Sequence, residues 1–295
     1  MIKNNNSIKK ITYLLLLSLL PLILYGFYKN GINLYIKNYV NILGLLKPLL
    51  FSIIGLLIGI LVNIIYEKYI KKNKDNLKEI IFSSFHPIYG LLVACILSIN
   101  TNIFLFVIVT FIVLFISKFI KNNKVNYIAL SGLIIFFIMN LFNKFTFLNI
   151  YESSKNFNLD AIDYMFGKGS GGIFTTNIIL LIISFIVLYN MKVYKKNIPI
   201  FATITFSILT IIYCILTHNI GNIMNMLFTN GILFSFVFIA TDPISSSYTK
   251  KGIIIYGIVV GLLTFLLYLL QPALSSLGAI FIASIFNSII DLKFE

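Results

Sequence analysis

The chain has 295 residues, of which 59% are hydrophobic and 11% charged, with a mean hydropathy of +0.98. A soluble domain needs a largely polar exterior, so this composition excludes one. The net charge of +14 comes from lysines that flank apolar runs, which speaks for membrane orientation and against a nucleic-acid partner.

What remains is an all-α, polytopic membrane protein with the lipid bilayer as its solvent. Its apolar blocks approach the roughly 20 residues that one helical crossing needs. Ten spans are predicted in chain order, at about 11–28, 46–66, 81–99, 103–120, 127–142, 173–190, 199–217, 227–241, 252–270 and 276–291. The first follows "MIKNNNSIKK", which imitates a signal peptide; no small-residue cleavage pattern follows, so it reads as a span. Cys95 and Cys214 lie far apart within apolar runs and read as small packing residues, not as a disulfide or metal pair.

All 23 basic residues are lysine, as expected from codon bias in an AT-rich genome. With the N-terminus inside, seventeen of them fall on the cytoplasmic side and six, Lys29, Lys37, Lys47, Lys144, Lys155 and Lys168, on or near the outer side. That asymmetry supports ten helices with both termini cytoplasmic. A single membrane domain is expected, divided by an extracytoplasmic loop at 143–172 into five-helix halves at 11–142 and 173–291. Five is odd, so repeated halves would have to be inverted. The third and eighth spans, "SSFHPIYGLLVACILSI" and "LFTNGILFSFVFIATDP", are both short and interrupted by glycine, proline or polar residues. Broken helices at matching positions point to a ligand or ion path, since freed backbone groups are tolerated only around a cavity.

The stretch "ATDPISSSYTKKGIIIYGIVVGLL", Ala240 to Leu263, resembles the A-T-D-P-x-[ST]…T-x-[KR]-G…Y-G-x-x-x-G-x-L signature of the RnfD/NqrB family. The tail is similar to that family's N-x-x-x-P-x-x-D ending, with Asn287 and Asp291 in place and no proline between them. "MFGKGSGGIFTTNIILL", Met165 to Leu181, resembles the glycine-rich lead-in to the sixth helix, with Phe174 where the family has glutamate. The first helix, with Pro21, and "GLLVACILSI" are similar as well. The resemblance implies ten helices in two inverted halves and a subunit, in the cytoplasmic membrane of a bacterium, of an Rnf or Na⁺-pumping NADH:quinone reductase complex. It also implies flavin-mediated electron transfer, with Na⁺ or H⁺ coupling in some complexes. The family's FMN-bearing threonine, in an S-G-A-T motif, has no counterpart: the outer loop holds only Thr146, and Ser153 and Ser154 lack the flanking residues. Covalent FMN is therefore not expected, and flavin, as FMN or riboflavin, would be bound noncovalently or carried by a partner. The family's N-x-F-N-P-A appears here only as "NKVNYIAL".

The candidate cofactor residues are Gly169, Gly171, Gly172, Thr175 and Thr176, with Thr241 and Asp242 at the bend. A helix N-terminus favours a phosphate; the same glycines also suit a flexible loop, together with Gly167. The candidate ion path is Asp242, Asn287, Asp291 and His86. Charge near membrane depth is costly and marks ion routes, while Asp242 also suits a local Asx-Pro turn. Asp291 equally suits a solvated terminus, and His86 a polar helix end. No metal site is expected from two distant histidines. The expected partners are other membrane subunits of an electron-transfer complex or an extracytoplasmic flavoprotein. A passive channel or transporter for a small solute on the same scaffold, and a purely structural anchor, are the rival functions. Loops and termini are too short to fold a soluble catalytic domain.

Overall fold

A computed structural model describes residues 5–120, 124–142, 147, 159–191 and 193–294. Half of the predicted outer loop lies outside the described residues, with Thr146, Ser153, Ser154, Lys144 and Lys155. So do Lys3, Lys121 and Lys192. Among the described residues every regular element is helical.

Five helical stretches are long and apolar enough to cross a membrane: Ile8–Ile36, Ile42–Ile70, Asn197–Leu216, Lys250–Leu270 and Pro272–Lys293. A sixth crossing forms if Ile220–Phe228 and Ile232–Ile239, bent by 44° at their junction, count as one. His86–Ile96, Ile103–Ser117, Tyr127–Leu141 and Ile178–Tyr189 are apolar but shorter. Each of the ten predicted spans therefore has a helix beneath it, and the protein is a multi-pass membrane protein. The α-helices that form these spans are α1 (Asn5–Phe27), α2 (Ile42–Ile64), α3 (His86–Ile96), α4 (Ile103–Ser117), α5 (Tyr127–Leu141), α6 (Ile178–Tyr189), α7 (Asn197–Leu216), α8 (Ile223–Phe228), α9 (Ile232–Phe234), α10 (Lys250–Leu270) and α11 (Ser275–Phe294); short helices at Asn33–Ile36, Leu77–Ile81 and Ala161–Met165 complete the set among the described residues. Helices α1, α2 and α9 run on into π-helical turns at Tyr28–Ile32, Ile65–Ile70 and Ser235–Ile239.

Polar residues set the helix starts. Asn41, Asn102, Asn126 and Asn177 accept from backbone N–H groups in the first turns of α2, α4, α5 and α6, and Thr249 does so for α10. Each satisfies an amide that would otherwise lack a partner at the helix end.

Helix α3 is the buried middle of the bundle, with every residue from His86 to Ile96 shielded. Pro87 opens it, where the missing N–H leaves nothing unsatisfied. It lies against α2 through bare backbone: a Cβ on Gly90 would stand 2.1 Å from the Gly55 carbonyl oxygen. Small residues permit such crossings where lipid supplies no hydrophobic drive between helices. The helix stops at Ile96 because the next carbonyls bond elsewhere. Ile173 N–H donates to Leu97 O at 2.8 Å and Phe174 N–H to Cys95 O at 3.1 Å. The second break lies between α8 and α9, where Asn230 and Gly231 turn the chain at φ 58° and 67°. Gly231 takes that left-handed conformation without steric cost. The π turn after α9 packs on α3 and delivers the chain into the T-D-P bend.

Candidate functional site

The bend at Thr241–Pro243 is buried, with Asp242 only 6% exposed. Thr241 Oγ1 donates to Val237 O at 2.6 Å, closing the preceding turn. The Asp242 carboxylate is shared between neighbours and a remote helix. Oδ2 accepts from the Ser245 N–H at 2.9 Å and its hydroxyl at 2.6 Å, while Oδ1 accepts from the Tyr89 hydroxyl of α3 at 2.5 Å. Asp242 therefore closes a local turn and at the same time ties the bend to a distant helix. Ser246 Oγ donates to Asp242 O at 2.5 Å. Asn126, while capping α5, donates through Nδ2 to Ile239 O and Ser245 Oγ, both at 2.9 Å. Lys195, between α6 and α7, donates to Ser246 Oγ at 2.7 Å, Ser246 O at 2.9 Å and Pro243 O at 3.2 Å. Burial pulls its pKa down to about 8, against the upward pull of Asp242 and Asp291 and with a further push down from Lys124.

Asp291 on α11 is buried at 1% exposure, which sets aside the alternative of a solvated terminus. Its Oδ1 accepts from the Ser247 hydroxyl and from the Tyr248 N–H at 3.2 Å, and its Oδ2 meets Lys124 Nζ at 2.6 Å. Asn287, one turn earlier, donates to Ser245 O at 2.8 Å. Its Oδ1, like the buried Tyr256 hydroxyl, meets no hydrogen-bond partner among the described residues. The bend is thus held between the start of α5, the lead-in to α7 and the end of α11.

Asp242 and Tyr89 also form part of a cavity wall. A space of ≈ 580 Å³ is lined by them with His86, Ser117, Lys124 and Tyr127. That volume lies in the range of small-molecule sites, about 300–1,000 Å³. A second space of ≈ 30 Å³, lined by Tyr89, Thr241, Asp242, Phe238 and Tyr194, has room for about one water. His86 is 6% exposed and hydrogen-bonded at both ring nitrogens, to Ser84 Oγ and Ser117 Oγ, each at 2.9 Å. It is a buried helix start, not a group at a wet interface.

The glycine–threonine candidates lie elsewhere. Residues 173 and 174 bond the C-terminal end of α3, whereas Tyr89 near its N-terminal end reaches Asp242. The six to eight residues from Tyr89 to Cys95 and Leu97, at 1.5 Å each, separate the two groups by about 9–12 Å along the helix. Protein occupies the space beside these glycines. A Cβ on Gly172 would meet Ile96 O at 2.6 Å, one on Gly171 Thr176 Cγ2 at 2.9 Å, and one on Gly169 the Tyr164 ring at 3.0 Å. Asn30 donates to Ile173 O at 2.7 Å and Lys29 to Gly169 O at 2.6 Å. Thr175 Oγ1 donates to Gly172 O at 3.3 Å, and the buried Thr176 hydroxyl meets no hydrogen-bond partner among the described residues.

Asp242, Asn287 and Asp291 therefore converge on one bend and His86 lines its cavity, while the cofactor candidates divide between that bend and the opposite end of α3. Sequence reading missed Tyr89, Lys124, Asn126, Lys195 and Ser245 as site residues. Asn126 and Tyr89 sit in the quoted stretches "NKVNYIAL" and "SSFHPIYG", and the polar residues next to helix starts were the available signal.

The NQR2, RnfD, RnfE family matches the chain over residues 1–294. A protein of Haemophilus ducreyi named as part of an ion-translocating oxidoreductase complex is 35% identical over 101 residues, 32% of this chain and 29% of that protein. One of Chlamydia pneumoniae, named as part of a Na⁺-translocating NADH-quinone reductase, is 40% identical over 67 residues, 22% of this chain and 13% of that protein. The protein of the same name from Chromohalobacter salexigens is 38% identical over 63 residues, 21% and 15% respectively. The matched stretches thus span less than a third of these relatives' lengths.

Proposed function

The chain belongs to the NQR2, RnfD, RnfE family, and from that premise we propose that it is a membrane component of an ion-translocating oxidoreductase complex. Its cavity beside Asp242 holds a flavin-class cofactor without a covalent link. The cavity wall carries the proposal: a buried carboxylate bonded to Tyr89, with His86, Lys124 and Tyr127 around ≈ 580 Å³. These groups fit a flavin ring. The tyrosine and histidine rings offer flat faces, Lys124 a cation and Ser117 a hydroxyl, while the Asp242 carboxylate and the Tyr89 oxygen, whose proton Asp242 holds, offer acceptors at one edge. When bound, the flavin would supply one- and two-electron transfer between other subunits or an extracytoplasmic flavoprotein. The glycine–threonine segment suits a phosphate less well, because protein already fills the space beside its glycines.

An ion route along Asp242, Asn287 and Asp291 is the second element of the proposal. Two buried carboxylates and the unpartnered Asn287 Oδ1 give a cation oxygen donors in place of water. The two five-helix halves are inverted relative to each other, with the broken helices α3 and α8–α9 meeting between them. Both termini and the bend face the cytoplasm.

Purified protein in lipid nanodiscs should take up riboflavin with quenching of its fluorescence, and Tyr89→Phe with Asp242→Asn should weaken uptake by about tenfold or more, near 1.4 kcal/mol. Solute flux in proteoliposomes without any flavin binding would instead establish a passive channel on the same scaffold.

A further inference from the structure

The histidine in the cavity wall ends a chain of hydrogen bonds that begins near the surface. Glu67, in the π turn after α2, meets Lys71 at 3.0 Å and Lys118 at 3.8 Å. Lys71 is half-exposed, while the side chain of Lys118, just past the end of α4, is 7% exposed. Lys118 Nζ donates to Asn63 Oδ1 at 2.5 Å and to Ser84 Oγ at 3.2 Å. Ser84 Oγ lies 2.9 Å from both Asn63 Oδ1 and His86 Nδ1. His86 Nε2 lies 2.9 Å from Ser117 Oγ, which donates to Leu114 O at 2.7 Å.

These partners fix the direction of the chain. Since Ser117 gives its hydrogen to a carbonyl, it accepts from His86, so Nε2 carries the imidazole proton. Nδ1 is then an acceptor, served by the Ser84 hydroxyl, and Ser84 accepts from Lys118. The Ser84 hydroxyl has two acceptors within reach, so one rotation toward Asn63 disconnects the chain and the reverse reconnects it. Both His86 and Ser117 line the ≈ 580 Å³ cavity, whose other ionisable walls are Tyr89, Lys124, Tyr127 and Asp242.

We propose that Lys118, Ser84, His86 and Ser117 form a proton wire from the Glu67–Lys71 surface to the cavity beside Asp242. The inference deepens the reading of that cavity as the redox site, because reducing a flavin by two electrons to its neutral form consumes two protons. In one transit the Lys118 N–H bond breaks as a Ser84 O–H bond forms, and Ser84 passes its own hydrogen to His86 Nδ1. The Ser117 hydroxyl turns from Leu114 O toward the cavity and releases its proton there as it takes the Nε2 proton of the imidazole. A proton from bulk solvent restores Lys118 beside Glu67, and return of the two hydroxyls and of the His86 proton from Nδ1 to Nε2 resets the chain for the next transit. One proton enters, one leaves, and the net charge is unchanged. Burial suits Lys118 for this: desolvation lowers its pKa to about 8, with Glu67 pulling upward and Lys71 pushing down. That is close to the working range of a proton donor.

The chain has two histidines, His86 in the wire and the exposed His218, so selective ¹⁵N-histidine labelling yields one reporter and one internal control. In full-length protein in nanodiscs, His86 should appear as the neutral Nε2–H tautomer. Its proton exchange with water should slow by about 100-fold in Lys118→Met and in Ser84→Ala, the low end of what a positioned transfer group contributes. Lys118→Arg keeps the charge and the donors but holds its proton. It should slow exchange as Lys118→Met does, whereas a purely structural role would be rescued. Unchanged exchange at His86 in Ser84→Ala, the least disruptive variant, would overturn the wire. A parallel riboflavin titration reads the cofactor independently: failure to bind flavin refutes the redox reading and leaves the exchange rates to decide the wire.

Discussion

At the residue scale, Asp242 shows how one carboxylate serves two ends of the chain. Its Oδ2 closes a local turn with Ser245 and its Oδ1 reaches Tyr89, 153 residues earlier. Hydrogen bonds to a charged group are worth about 1.5–3 kcal/mol when the alternative is burial without a partner. Tyr89→Phe and Asp242→Asn should therefore be non-additive, with a coupling of about 1–3 kcal/mol in a double-mutant cycle. Unfolding in mixed micelles across the four proteins measures it, and additive effects would dissolve the pair. Lys195 gives a pH signature at the same bend. Its folded pKa of about 8 lies below the ordinary 10.5, so between those values the unfolded chain binds more protons. Stability then rises with pH across that window, and below pH 8 the folded state bears a buried ammonium. Lys118 titrates in the same direction and window. Replacing both by methionine should flatten the rise from pH 8 to 10 in thermal melts; an unaltered profile would show that neither charge is buried at cost.

At the element scale, helix starts do more than satisfy amides. Asn102 and Asn126 both cap helices, but only Asn126 also holds the bend, through Ile239 O and Ser245 Oγ. Asn102→Ala should cost about 1 kcal/mol, the usual loss for a cap. Asn126→Ala should cost roughly 1–3 kcal/mol more, since it strands buried acceptors. Equal losses would mean the bend does not depend on α5. The helices themselves were legible in the sequence because apolar length and lysine placement are local properties. Even the break in α3 was signalled by Pro87 and its flanking polar residues. Its end was not, because Leu97 and Cys95 find their donors in Ile173 and Phe174, some 76 to 79 residues later, and no local pattern encodes such a pairing. The glycine-rich lead-in to α6 was ambiguous for a related reason. A glycine that leaves room for a phosphate and one that leaves room for a neighbouring carbonyl look identical in sequence, and Gly172 faces the carbonyl of Ile96.

At the scale of the whole molecule, α3 joins two polar regions that lie at opposite ends of the bundle. One holds Asp242, Asp291 and the cavity; the other holds the glycine–threonine segment with Lys29 and Asn30. The lysines pairing with acids on the first side, Lys71, Lys118 and Lys124, all belong to the set placed in the cytoplasm by charge asymmetry, and Lys195 of that set binds the bend. Lys29 and Lys168, bonded at the other end or in the loop leading to it, belong to the outer set. If positive charge orients the chain, the bend faces the cytoplasm and the end of α7 faces out. Cys95 and Cys214 are buried, so an introduced cysteine reports against a quiet background. Lys251 and His218 are both exposed, one beside the bend and the other at the far end of α7. A membrane-impermeant maleimide should label His218→Cys in intact cells and Lys251→Cys only after the membrane is opened. The opposite pattern would invert the whole assembly and would put the proposed proton wire on the outer surface. Labelling of both in intact cells would mean that the bent pair α8 and α9 between them does not cross the membrane, and the two-ended arrangement would fail with it.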